Sequence, residues 1–209
     1  MRKKALVSIL VVVMAIVCLA GCSGNGGGFE KSTLVDASKQ YGMREAGNIL
    51  DTTSLINYSG SIGTSFYASK DKKDAQDLYD NYINNGGNLP HVTVNEAVIV
   101  AANEYLGDGN YSTLVYQLTL KDSSSAKDLY SAFADSYVSK DSYTSGKKNG
   151  YHYTISYFGA GVQVHKRGAY LKGNSVLFIY GLTTRTDDRT GFAKYIFNAV
   201  HVLDPEAMK

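Results

Sequence analysis

Two hydrophobic periods take turns along the chain. From Ser112 to Lys121, Leu114, Tyr116, Leu118 and Leu120 alternate with Thr113, Gln117 and Thr119, the two-residue repeat of a half-buried strand. Immediately beyond, Ala126, Leu129, Tyr130 and Phe133 recur at the spacing of one helix face. The same succession occurs 51 residues earlier, where Tyr67-Ala-Ser-Lys70-Asp71 leads into Ala75, Leu78, Tyr79 and Tyr82. Aligned over 67–82 and 118–133, six of sixteen positions are identical, including the Lys-Asp junction. A more diverged third version runs from Val176-Leu-Phe-Ile-Tyr180 through the polar turn Thr183–Asp188 to Phe192, Tyr195, Ile196, Ala199 and Val200. The pattern predicts a strand-to-helix unit used three times.

Hairpin signals separate the units. Val94–Tyr105 and Ser112–Lys121 flank Gly107-Asp108-Gly109-Asn110, and such dipeptides favour the positive φ angles of tight turns. Tyr151 to Tyr157 alternates, turns at Gly159-Ala160-Gly161, returns through Val162 to Leu171 and turns again at Gly173-Asn174. Ser32–Tyr41, with Gly42 behind it, reads as a short capped helix. Asp51–Tyr58 reads as a helical turn, and Asn84–Leu89 and Ser139–Gly150 as polar loops. The order strand, helix, strand, strand, helix, strand is that of the ferredoxin-like βαββαβ arrangement, here extended by a further strand-strand-helix. The expectation is an α+β domain over residues 29–209. It would have one antiparallel sheet with its main helices on one face, leaving the other open to solvent or a partner.

The first thirty residues follow another rule. Arg2, Lys3 and Lys4 precede an uncharged stretch from Ala5 to Cys22, the layout of a secretory signal peptide and shorter than the roughly 20 apolar residues of a stable spanning helix. A permanent membrane anchor is the alternative. Leu19-Ala20-Gly21-Cys22 resembles the lipobox of bacterial lipoproteins at all four positions. The resemblance implies removal of residues 1–21 by cleavage between Gly21 and Cys22, and a diacylglyceryl group on the Cys22 sulfur. Residues 22–28 then form a lipidated, Gly-rich tether. Two or three acyl chains hold a protein at a membrane far more firmly than one.

Removing the leader changes the charge. The 21 Lys and Arg lose three, leaving 18 against 19 Asp and Glu, a net charge of −1. Nucleic-acid binding, which needs a basic patch or stripe, has no support. Cys18 leaves with the leader, so no cysteine follows Cys22. The domain therefore has neither disulfides nor thiol chemistry. Seventeen tyrosines and no tryptophan suit half-buried strands; alternatively, Tyr151, Tyr153 and Tyr157 form an aromatic ligand surface.

No catalytic or metal-binding signature is present. His91, His152, His165 and His201 lack metal-ligand spacing, and either register tried across the 159–161 turn keeps His152 and His165 about 10 Å or more apart. Asp71, Asp74, Asp77 and Asp80 wind around a helix instead of converging as a calcium loop does. Gly60-Ser61-Ile62-Gly63 lacks the nucleophile-elbow frame, and Gly159-x-Gly161 lacks a dinucleotide fingerprint. No cofactor is expected. His165-Lys166-Arg167 forms a small basic spot. Gly168-Ala-Tyr170-Leu-Lys172-Gly-Asn174-Ser-Val176-Leu-Phe178-Ile-Tyr180 resembles the C-terminal part of small lipoproteins of Gram-positive anaerobes, which implies a Gram-positive envelope and no particular activity. The expected role is a membrane-anchored binding or interaction module, with an envelope protein, a cell-wall polymer or a small ligand as partner. An envelope enzyme and an accessory subunit of an envelope complex are the alternatives.

Overall fold

The computed structural model describes residues 27–52, 62–106, 109–139, 142–184 and 191–208. The chain runs α1 (Lys31–Gln40), β1 (Arg44–Glu45), β2 (Gly63–Ala68), α2 (Lys72–Leu78), β3 (Val94–Leu106), β4 (Gly109–Leu120) and α3 (Ser123–Phe133). Then follow β5 (Tyr143–Lys148), β6 (Tyr151–Ala160), β7 (Gln163–Lys172), β8 (Ser175–Thr183), α4 (Phe192–Ala199) and a 3-10 turn at Pro205–Met208. The strands form one eight-stranded sheet in the order β1-β2-β3-β4-β8-β7-β6-β5. Every neighbouring pair is antiparallel except the two-residue β1–β2 pair.

The first two strand-to-helix units repeat in detail. Asp71 accepts a hydrogen bond from the Asp74 amide, and Asp122 accepts one from the Ser125 amide. Each satisfies a donor that the first helical turn leaves unpaired. Both helices then run into a π turn, at Tyr79–Ile83 and Ala134–Val138. The Lys-Asp junction shared by the two copies is therefore a cap.

The expected α+β class, the single extended sheet and the order of elements match the structure, but three details differ. The helices do not share one face: α2 and α3 pack on one side with Ile99, Leu118, Val176 and Phe178, whereas α1 and α4 pack on the other with Val98, Val100, Leu177 and Ile179. Central strands that are apolar at both parities need cover on both sides. The third unit accordingly sends its helix to the opposite face from the first two. Gly181 makes room for it, because an added Cβ there would lie 2.8 Å from that of Ala193. The strand order is a β2-β3-β4 meander in place of the ferredoxin interleaving, because α2 returns the chain to the antiparallel neighbour β3, while α3 carries it from β4 across to β5 at the far edge of the sheet. Lastly, β5 occupies part of the expected loop 139–150. It is an exposed edge strand with no apolar alternation to reveal it.

One end of the sheet collects the strand termini Ala68, Val94, Leu120, Ser175, Lys172, Tyr151 and Lys148. Gly28 packs against Ser175 there, and Gln117 Nε2 donates 3.0 Å to the Phe29 carbonyl. The N-terminal segment thus leaves the domain at this end, called here the tether end.

Candidate functional site

On the α2–α3 face, the two helices cover the half of the sheet nearest the tether end. Among the described residues no helix lies over the other half, where side chains of β6, β7 and β8 form an ordered cluster. The register puts Phe158 opposite His165 and Arg167 opposite Tyr180, so all four project to the same side. The His165 and Phe158 rings stack at 4.5 Å with planes 1° apart. The Arg167 guanidinium lies 4.7 Å from the Phe158 ring centre and 5.6 Å from that of Tyr180, within cation–π range. His165 Nδ1 and the Tyr180 hydroxyl are 3.1 Å apart, and Arg167 Nη1 donates to the Tyr137 carbonyl at 3.0 Å. Burial raises the Tyr180 hydroxyl above its ordinary pKa, with Arg167 pulling the other way. Tyr137 and Tyr105, 40% and 55% exposed, extend the surface. Tyr180 stands five residues along β8 from Ser175, about 17 Å from the tether end.

The basic spot read from His165-Lys166-Arg167 is divided by strand alternation. Lys166 points to the α4 side, is 2% exposed, and approaches Glu206 at 3.2 Å and Asp204 at 3.6 Å. Lys194 meets the same carboxylates at 2.7 and 3.7 Å. Two cations and two anions therefore clasp the C-terminal turn onto the sheet.

The tyrosine surface expected at 151, 153 and 157 is not an open platform. Tyr151 is 3% exposed, and its hydroxyl accepts a hydrogen bond from the Leu203 amide at 2.9 Å. Tyr153 is half-buried against the same core and covers Gly146 of β5; Tyr157 is half-buried. Tyr170 donates to the Leu203 carbonyl at 2.6 Å, so Tyr151 and Tyr170 together hold the segment before the C-terminal turn. The core on the α1–α4 side claims the rings of Tyr151 and Tyr153.

A concavity of about 260 Å3 opens at the tether end between Phe29, Gln117, Asn149, Tyr151, Lys172 and His201. It falls just under the ~300–1,000 Å3 of usual ligand pockets. His201 occupies the second position after α4 with φ +56°, in the hydrogen-bonding pattern that ends α1 at Gly42. A side chain in that left-handed conformation costs about 1–2 kcal/mol relative to the ordinary helical one.

His152 and His165 lie on one face but six residues apart in the observed register, about 20 Å. Among the described residues no group of three His, Cys, Asp or Glu side chains could hold a metal ion. Asp71 caps α2, Asp74 accepts from Tyr67 and the Lys70 amide, Asp77 pairs with Lys73 and Asp80 accepts from Gln76. Gly21, Cys22 and Ser61 lie outside the described residues. The patch around Arg167 was missed in the sequence because its members lie on three strands; only the register brings them together.

No family model matches the chain, and no curated protein does. One solved structure is similar, the extracellular domain of PknH from Mycobacterium tuberculosis. The match has 12% identity and a TM-score of 0.40, and covers 85% of this chain and 97% of that one. A TM-score of this size does not establish a common fold. Among the described residues no helix is long and apolar enough to cross a membrane.

Proposed function

We propose that the chain is an extracytoplasmic interaction module, held at the membrane surface by lipid on Cys22, that engages a partner protein through the patch around Arg167. The observation behind this reading is the stack of Phe158, His165, Arg167 and Tyr180 on a sheet surface that no described helix covers. Tyr and Arg are the residue types most enriched among interaction hot spots, since they combine large contact area with polar ends. The position supports it too: with the tether at one end, the patch sits toward the opposite end, where a partner can reach it. A nearly flat strand surface suits a protein better than a small ligand, which usually needs a concave pocket.

Photo-crosslinking in intact cells tests this. A benzophenone side chain in place of Tyr105 or Tyr137 should yield one discrete crosslinked protein, and Arg167→Ala should reduce its yield by about tenfold or more, as truncating a hot-spot residue does, without lowering the amount of the module. Crosslinking unaffected by Arg167→Ala contradicts the reading, and a product removed by cell-wall hydrolases but not by protease reassigns the patch to a wall polymer.

A further inference from the structure

The tether end is unlike the rest of the domain in charge. Lys70, Lys121, Lys147, Lys148 and Lys172 stand at or next to the strand ends gathered there, with three further lysines in the first turns of α1 and α2. Against these eight stand six carboxylates, those of Glu30, Asp71, Asp74, Asp77, Glu96 and Asp122. Four of the six are engaged locally: Asp71 and Asp122 cap helices, Asp74 accepts from Tyr67 and the Lys70 amide, and Asp77 pairs with Lys73. The mature chain, 18 basic against 19 acidic, is thus left with 10 against 13 elsewhere. A domain that is slightly acidic overall is basic at one end.

Chain length fixes what that end faces. Gly28 lies against Ser175 at this end, and it follows Cys22 by six positions, at most about 20 Å of extended chain. A diacylglyceryl group on Cys22 would therefore hold the lysine-rich end at most about 20 Å from the headgroups, or about 2.5 Debye lengths at physiological salt, and closer whenever the tether is less than fully extended. From this placement and charge we infer that the tether end is a contact surface for anionic lipid headgroups. The inference rests on the Cys22 reading for its orientation. Lys121, Lys147 and Lys148 are exposed and Lys172 is partly so, and each lysine near an anionic surface adds to attraction in the manner of a juxtamembrane basic cluster. Lys147 and Lys148 have a second use, since charge on the edge strand β5 discourages pairing with a strand of another molecule. The lipid contact orients the domain: with its basic end down, the Arg167 patch is raised toward the side away from the membrane.

The test uses the whole mature chain, Cys22 to Lys209, with the Cys22 thiol alkylated so that no acyl chain contributes. In co-sedimentation at 50 mM salt, vesicles with 30% phosphatidylglycerol in phosphatidylcholine should bind about tenfold more protein than phosphatidylcholine alone. The excess should disappear at 500 mM salt. Lys147→Gln/Lys148→Gln/Lys172→Gln should abolish most of it, whereas Lys39→Gln/Arg44→Gln, two charges away from this end, should leave it. Equal binding to the two vesicle types, or an unaffected triple variant with native circular dichroism, overturns the inference. Tighter binding to soluble polyglycerol phosphate than to the anionic vesicles also overturns it, in favour of a wall polymer. Lipidation at Cys22 is read separately by mass spectrometry, so failure of the anchor and failure of the lipid contact are distinguishable.

Discussion

Phe133→Ala is expected to destabilise the domain by about 3–5 kcal/mol, the range for removing a fully buried aromatic ring. Phe133 is 1% exposed and lies at the centre of the α2–α3 side. Its ring stacks on Phe178 of β8 at 4.9 Å with planes 9° apart, and touches Tyr116 and Tyr137 at 6.3 and 5.9 Å. Truncation removes the ring's transfer free energy, opens a cavity against the sheet centre and takes away one of the two rings, Phe133 and Phe178, that flank Tyr137 of the π turn at Ala134–Val138. Tyr137, which carries the carbonyl that receives Arg167, belongs to that turn. Urea unfolding followed by circular dichroism measures the loss; a change below about 1 kcal/mol would show that the face is not packed as described.

The second large effect is alkaline unfolding. Among the described residues eight tyrosines, including Tyr79, Tyr116 and Tyr170, have hydroxyls raised above the ordinary value, with burial the largest cause in each. For Tyr67 burial comes first, the hydrogen bond to Asp74 adds to it, and the value is pushed up to about 12. A group whose folded pKa is raised holds its proton more tightly in the folded state. Its stabilising contribution is complete below the unfolded value near 10, and is lost as pH rises through the folded value. Several such groups lose their contributions over the same range, so the domain should unfold cooperatively above about pH 10. Absorbance at 295 nm should show the exposed tyrosines ionising first and the buried ones only as the far-ultraviolet signal collapses. Ionisation of all 17 tyrosines near pH 10 with the fold intact would refute this packing.

What could be read from the sequence depended on whether the governing contacts were local. The duplicated unit was legible because its signals are short-range: Asp71 and Asp122 each serve an amide three residues on, and each helix shows its apolar face within one segment. The helix at 31–40 with its Gly42 stop was legible for the same reason. The face taken by α4 was not. Ser175 to Ile179 are buried at both parities, so alternation there does not say to which side the next helix turns; the decision lies in Gly181 and Ala193 meeting. Likewise β5 has a strand's hydrogen bonds without a strand's apolar pattern, because its side chains are exposed on both faces of the sheet.

The candidate site was legible only in pieces. His165-Lys166-Arg167 was read as one basic spot, but the two-residue period of β7 sends Lys166 into an ion-pair cluster with Asp204 and Glu206 and turns its neighbours to the opposite side. Tyr151 alternated as an exposed platform residue would; the Leu203 amide that its hydroxyl receives comes from a segment 52 residues away. Cys22 remains the residue to which the sequence itself assigns chemistry, and its lipidation is a proposal on which the orientation of both ends depends.

The central claim, a domain tethered by Cys22 with its lysine end toward lipid and its Arg167 patch away, is tested most directly by measuring which end lies near the membrane. Because no cysteine follows Cys22, a spin label can be placed singly through Ser123→Cys at the tether end or through Val162→Cys in the exposed turn between β6 and β7. The ten residues of β7 separate the two ends by about 33 Å. In the lipidated protein on anionic vesicles carrying a relaxation agent on their headgroups, the label at 123 should relax strongly and the label at 162 should not. Equal relaxation at both positions, the reverse order, or labelling of Cys22 itself would contradict the account.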